Sequence, residues 1–97
     1  GLAAGARREL VEETGWWPRR LRRLARFYAA PGYTSEALTL FLAQDLVRVQ
    51  AEPDADEQVR PALLSYRVAL AKIQSGAICD AKTIIGVLLA RRFLSDV

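Results

Sequence analysis

Leu2, Ala6, Leu10 and Val11 recur at helical spacing along the first residues of the chain, and Gly15 stands where a helix over 2–14 would meet its C-terminal cap. The helical pattern ends at "TGWWP". Over 21–30 two periods compete: Leu21, Leu24, Phe27 and Tyr28 suit a helix, whereas "RFYAAPGY" suits a strand running into a turn. The pattern leaves both open. The next segment is clearer, because "PGYTSE" at 31–36 has turn chemistry and Leu38, Leu40 and Leu42 then alternate with Thr39, Phe41 and Ala43. Residues 37–46 are thus the best strand in the chain.

An acidic loop, "AEPDADEQ", follows at 51–58, and "VRPALLSY" at 59–66 reads as a short strand that Pro61 demotes to an edge or an irregular segment. A helix over 67–76 places Val68, Leu70, Ala71 and Ile73 on its apolar side and stops at Gly76. The last helix starts near Asp80, whose side chain can cap "AKT", and runs through "IIGVLLARRFL" to the end of the chain. Arg91 and Arg92 at its close complement the helix dipole. The order is helix, one to three strands, helix, helix, which is a mixed α+β member of the α/β class. With 97 residues, the chain fits within one small domain, 1–97.

Composition narrows the chemistry. A hydrophobic fraction of 52% beside 26% charged residues is ordinary for a folded soluble protein. The longest apolar run, "IIGVLLA" at 84–90, is too short to span a bilayer, so no membrane partner is expected and the cytoplasm is the default location. Cys79 is the single cysteine and there is no histidine, which argues against an internal disulfide, a Cys-His nucleophile and a zinc site. Cys79 reads as a small, buried or half-buried side chain. A general base must then be a carboxylate, and a metal must be a hard cation with oxygen ligands. The net charge of +3 is concentrated in "RRLRRLAR" at 19–26. That stretch suits a polyanion or a substrate phosphate, but no base-reading module accompanies it, so solvent-facing arginines are the simpler reading and nucleic acid is not expected as a partner.

Within "RRELVEETGW" at 7–16, Glu9, Glu12 and Glu13 stand at i, i+3 and i+4 and project from one side of a helix. Three like charges on one stripe repel, so arginines, water or a bound cation must compensate them. The run Arg8-Glu9-Leu10-Val11-Glu12-Glu13-Thr14-Gly15-Trp16 resembles the second half of the Nudix box, R-E-U-x-E-E-x-G-U with U apolar, and matches every specified position. The box's first glutamate would fall one residue before Gly1, so the chain is expected to be the later part of a Nudix domain that starts inside the box. The resemblance implies a partial Nudix fold: the Nudix helix, later strands and C-terminal helices.

The likeness continues beyond the box. "FYAAPGYTSEALTLFLAQDL" is similar to the segment after the box in ADP-ribose pyrophosphatases, where a proline some 16 residues past the box glycine marks the subfamily, and Pro31 stands there. "SGAICDAKTIIGVLLA" resembles its closing helix. The resemblance implies that Glu9 and Glu13 bind Mg2+, with Mn2+ as a substitute, that Glu12 lies close to the metal or takes part in catalysis, and that Arg8 orients the glutamates. It also implies a catalytic or metal-binding acid in the loop "DADEQVR", with Glu57 first, Asp56 second and Asp54 third.

Arg8, Pro31 and Glu36 are the residues the resemblance implies for substrate binding, with a plain surface turn as the simpler reading of Glu36. Trp16 and Trp17 read as core or interface, with stacking on a base as the alternative. The implied activity is magnesium-dependent hydrolysis of ADP-ribose to AMP and ribose 5-phosphate, by a protein that is a homodimer in relatives; a nucleotide sugar is the alternative substrate. A noncatalytic binding module using 19–26 is the alternative of another class. A chain without the first box glutamate and preceding strands would have open sheet edges and would be weakly active or inactive by itself.

Overall fold

A computed structural model describes residues 1–49 and 61–95. The elements run α1 (Leu2–Thr14), β1 (Trp16–Tyr28), β2 (Ala37–Arg48), α2 (Tyr66–Ser75), α3 (Ala81–Ala90) and a 3-10 turn over Arg91–Phe93. Contacts gather the chain into two compact units, Gly1–Arg22 with Ala43–Leu63 and Arg23–Leu42 with Leu64–Val97. β1 and β2 pair as a two-stranded sheet, and each unit holds one half of that hairpin. Arg20 bonds Asp45, Arg22 bonds Gln44 and Arg26 bonds Thr39. Partner numbers fall as β1 numbers rise, so the strands are antiparallel.

In the first unit, α1 passes into β1 through Gly15, whose φ of 81° lies in the left-handed region that glycine adopts freely. Gly15 donates its N–H to the Val11 carbonyl at 2.8 Å, which closes the helix. Gly15 and Pro18 are buried. Near the far end of β2, Asp45 has a φ of 55°. This left-handed residue has the effect of a β-bulge: the neighbouring side chains of Gln44 and Asp45 both reach arginines on one face of β1, Arg22 at 2.9 Å and Arg20 at 2.7 Å. Aspartate is among the few side chains that tolerate such a conformation.

In the second unit, both helices begin on side-chain caps. Ser65 Oγ accepts the Val68 N–H at 3.1 Å to start α2, and Gly76, at φ 87°, ends it. Asp80 starts α3 by accepting the N–H and the hydroxyl of Thr83, each at 2.9 Å, and it pairs with the Lys82 ammonium at 3.0 Å. The bond from Lys82, followed by that from the Thr83 amide, lowers the Asp80 pKa from 3.8 to about 2. The Tyr66 hydroxyl donates to the Val87 carbonyl at 2.8 Å and ties α2 to α3. α3 packs beside Leu40 at Gly86, where a Cβ would stand 3.8 Å from Leu40 Cδ1, an ordinary contact that does not require glycine. An open groove of about 730 Å³ runs between these elements, walled by Leu24, Leu40, Phe41, Leu64, Ala69 and Val87. Ala90 is the buried hydrophobic residue of this unit among the described residues.

The helix over 2–14, the strand after the turn, the caps at Asp80 and Gly76 and the mixed α+β order agree with the sequence reading. Residues 21–28, open between two periods, belong to a strand, because pairing with β2 overrides the three-residue spacing of Leu21, Leu24 and Phe27. Three expectations need correction. The described part of "VRPALLSY", 61–65, forms no strand, and Tyr66 already belongs to α2, since Ser65 supplies an N-cap there. The last helix stops at Ala90 and tightens into a 3-10 turn over Arg91–Phe93. Cys79 is exposed rather than buried or half-buried, because it precedes the Asp80 cap in the short connection between α2 and α3.

Candidate functional site

The candidate chemistry lies on α1. Four of the expected residues share this helix: Arg8 and Glu9 are exposed, and Glu12 and Glu13, in the last turns, are half-buried. The α1 exit is held by several independent bonds. Thr14 Oγ1 donates to the Leu10 carbonyl at 2.7 Å and accepts the Trp16 N–H at 3.2 Å, so one hydroxyl fastens the last helical turn to the first strand residue. Arg7 Nε donates to the Pro18 carbonyl at 3.3 Å, and its guanidinium lies 5.7 Å from the centre of the Trp17 ring. Arg48 covers Trp16 in the same manner at 5.2 Å. The two tryptophans, adjacent on a strand and therefore on opposite faces, are each covered by an arginine.

The donor set on α1 suits a hard cation in kind, since carboxylate oxygens are the ligands that Mg2+ prefers. Among the described residues, however, no three acidic, histidine or cysteine side chains converge closely enough to hold a metal ion. Glu9, Glu12 and Glu13 thus supply donors on one side of a helix without forming a closed ligand set. The ion pairs among the described residues, Arg20 with Asp45 and Lys82 with Asp80, do not involve Arg8. Pro31 and Glu36 belong to the second unit, in the connection between β1 and β2, where both are exposed. Gly32 turns that connection at a φ of 94°, and Glu36 donates its N–H to Thr34 Oγ1 at 3.0 Å. Asp54, Asp56 and Glu57 lie outside the described residues.

Sequence reasoning missed Arg7, Arg48 and Asp45. Arg48 is 34 residues from the Thr14 carbonyl that it approaches, so no local spacing pointed to it. The arginines of 19–26 proved only partly free-standing, since Arg20, Arg22 and Arg26 each have a cross-strand partner.

No helix of the described residues is long and apolar enough to cross a membrane. No family model matches the chain. The chain is 38% identical over 80 residues to the ADP-ribose pyrophosphatase of Bacillus subtilis, an alignment covering 80% of this chain and 43% of that protein. It is 35% identical over 82 residues to the GDP-mannose pyrophosphatase of Citrobacter koseri, covering 81% and 43% of the two. Among solved structures, an ADP compounds hydrolase superposes with a TM-score of 0.81 at 26% identity, over 97% of this chain and 51% of that one. The chain therefore spans less than half the length of these curated relatives. Motif, sequence and fold converge: the chain is similar to the Nudix pyrophosphatases, ADP-ribose and GDP-mannose enzymes among them.

Proposed function

We propose that the protein, with residues 1–97 as part of a single domain, hydrolyses a nucleoside diphosphate linked to a second group. ADP-ribose is the substrate read first, with AMP and ribose 5-phosphate as products. The observation that carries this reading is α1 itself: three glutamates on one helical side, ended by a left-handed Gly15 that turns the chain directly into a strand. The 38% identity to an ADP-ribose pyrophosphatase supports the same substrate.

In this reading Glu9 and Glu13 hold a divalent cation, Mg2+ or Mn2+, with Glu12 beside them. A cation bound there neutralises charge on the diphosphate oxygens and lowers the pKa of an attacking water. Arg8 orients the carboxylates, and Pro31 and Glu36 shape the approach of the substrate. An acid of the loop, Glu57 before Asp56, takes the proton as the water oxygen bonds to phosphorus and the bridging P–O bond breaks, leaving its electron pair on the departing phosphate. Homodimerisation belongs to the same proposal and rests on the family resemblance. So does a cytoplasmic location.

A second substrate has its own support, because the GDP-mannose pyrophosphatase of Citrobacter koseri is 35% identical to this chain over 82 residues. The deciding experiment measures phosphomonoester release from ADP-ribose and from GDP-mannose with Mg2+, using the full-length protein and its Glu13→Gln variant. Release that prefers ADP-ribose and collapses in Glu13→Gln supports the proposal. Preference for GDP-mannose moves it to the second substrate. Release unaffected by Glu13→Gln refutes the assignment of α1.

A further inference from the structure

We infer that Arg48 is a positioning residue for the glutamates of α1, holding the C-terminal turn of that helix from outside. The inference rests on the proposal that those glutamates bind a divalent cation. The last turn of α1 contains no basic residue, so the helix supplies no cation of its own to the negative end of its dipole. The end of β2 supplies one. Arg48 Nη1 approaches the Thr14 carbonyl at 3.5 Å while the same guanidinium lies 5.2 Å from the centre of the Trp16 ring. Next to it, the Val49 N–H donates to the Gly15 carbonyl at 3.0 Å. Two consecutive residues of one strand end thereby grip three consecutive residues of the helix exit, Thr14, Gly15 and Trp16.

The grip bears on chemistry because of where the carboxylates stand. Glu12 and Glu13 precede Thr14 directly, so the direction in which they project depends on the rotation of this last turn. A planar guanidinium can donate to a carbonyl and lie on an aromatic face at once, whereas an ammonium is a point charge that does one or the other. The grip thus calls for arginine in particular.

The test compares the full-length wild-type protein with its Arg48→Met and Arg48→Lys variants. Mn2+ affinity is followed by the paramagnetic resonance of the free ion. Amide hydrogen exchange is followed at Gly15 and Val49, with the α3 amides of the second unit as the internal reference. The expected result is faster exchange at Gly15 and Val49 in Arg48→Met, no change in α3, and Mn2+ affinity weaker by about tenfold, as for other residues that orient metal ligands. Arg48→Lys is expected to recover part of the affinity.

Unchanged Mn2+ affinity in Arg48→Met overturns the inference, even if exchange at Gly15 quickens, because the contact is then only structural. Exchange that rises in α3 as well marks general unfolding of the methionine variant, and Arg48→Lys then decides: affinity equal to wild type overturns the role, and an intermediate value supports it. A full-length wild-type protein that takes up no Mn2+ refutes the metal assignment of the preceding proposal and removes the positioning role with it.

Discussion

In the second unit, α2 and α3 start on caps from their own sequence, Ser65 and Asp80, and Tyr66 ties one helix to the other. In the first unit, α1 is secured at its C-terminal end, by Thr14 within the helix, by Arg7 reaching the Pro18 carbonyl and, from the end of β2, by Arg48 and the Val49 amide. The difference is one of location. Local caps fix where a helix begins, and contacts distant in sequence fix how it is rotated where it ends. The unit that carries the glutamates uses the second device, and the constraint falls next to Glu12 and Glu13. The unit with the locally capped helices carries none of the candidate metal ligands on them.

Four substitutions put this contrast to the test. The largest effect is expected for Glu13→Gln in the first unit, which should reduce Mg2+-dependent hydrolysis by on the order of a hundredfold or more while leaving the thermal midpoint nearly unchanged, since removing a charge from a crowded stripe relieves repulsion. Steady-state rates and a melting curve check both halves of the statement. In the second unit, Asp80→Ala should lower the melting midpoint of α3 by a few degrees without altering cation binding on α1.

The same carboxylate sets an acid limit. Its folded pKa, about 2, lies below the ordinary 3.8, so its stabilisation is complete above about pH 4 and is lost as pH falls toward 2. A pH titration of helical circular dichroism should show that loss in the wild-type chain and not in Asp80→Ala. Tyr66→Phe removes the bond to the Val87 carbonyl and should cost about 1 kcal/mol, measurable by urea unfolding. Arg20→Ala should have the smallest effect, less than about 1 kcal/mol in the same assay, because its pair with Asp45 is half exposed on both sides.

How far the sequence was legible follows from the same distinction. The helix at 2–14, its stop at Gly15, the Asp80 cap and the strand from Ala37 are written in neighbouring residues, and all could be read. The glutamate stripe was legible for the same reason. The strand character of 21–28 was not, because Leu21, Leu24 and Phe27 keep a helical spacing and only pairing with β2 decides against it. "VRPALLSY" misled because its apolar residues suggest a strand, while Ser65 acts as a helix cap. Arg7 over Trp17 and Arg48 over Trp16 join residues distant in sequence, and nothing near either arginine announces its ring.

The left-handed Asp45 also divides β2 in two. Among the described residues β2, Ala37–Arg48, pairs with β1, and an unbroken strand would send Gln44 and Asp45 to opposite faces. Both instead reach arginines of one face of β1, so the side-chain alternation changes phase at Asp45. The residues before it and the residues after it therefore assign inside and outside by opposite parity, and a substitution chosen by counting along β2 across Asp45 would land on the wrong face.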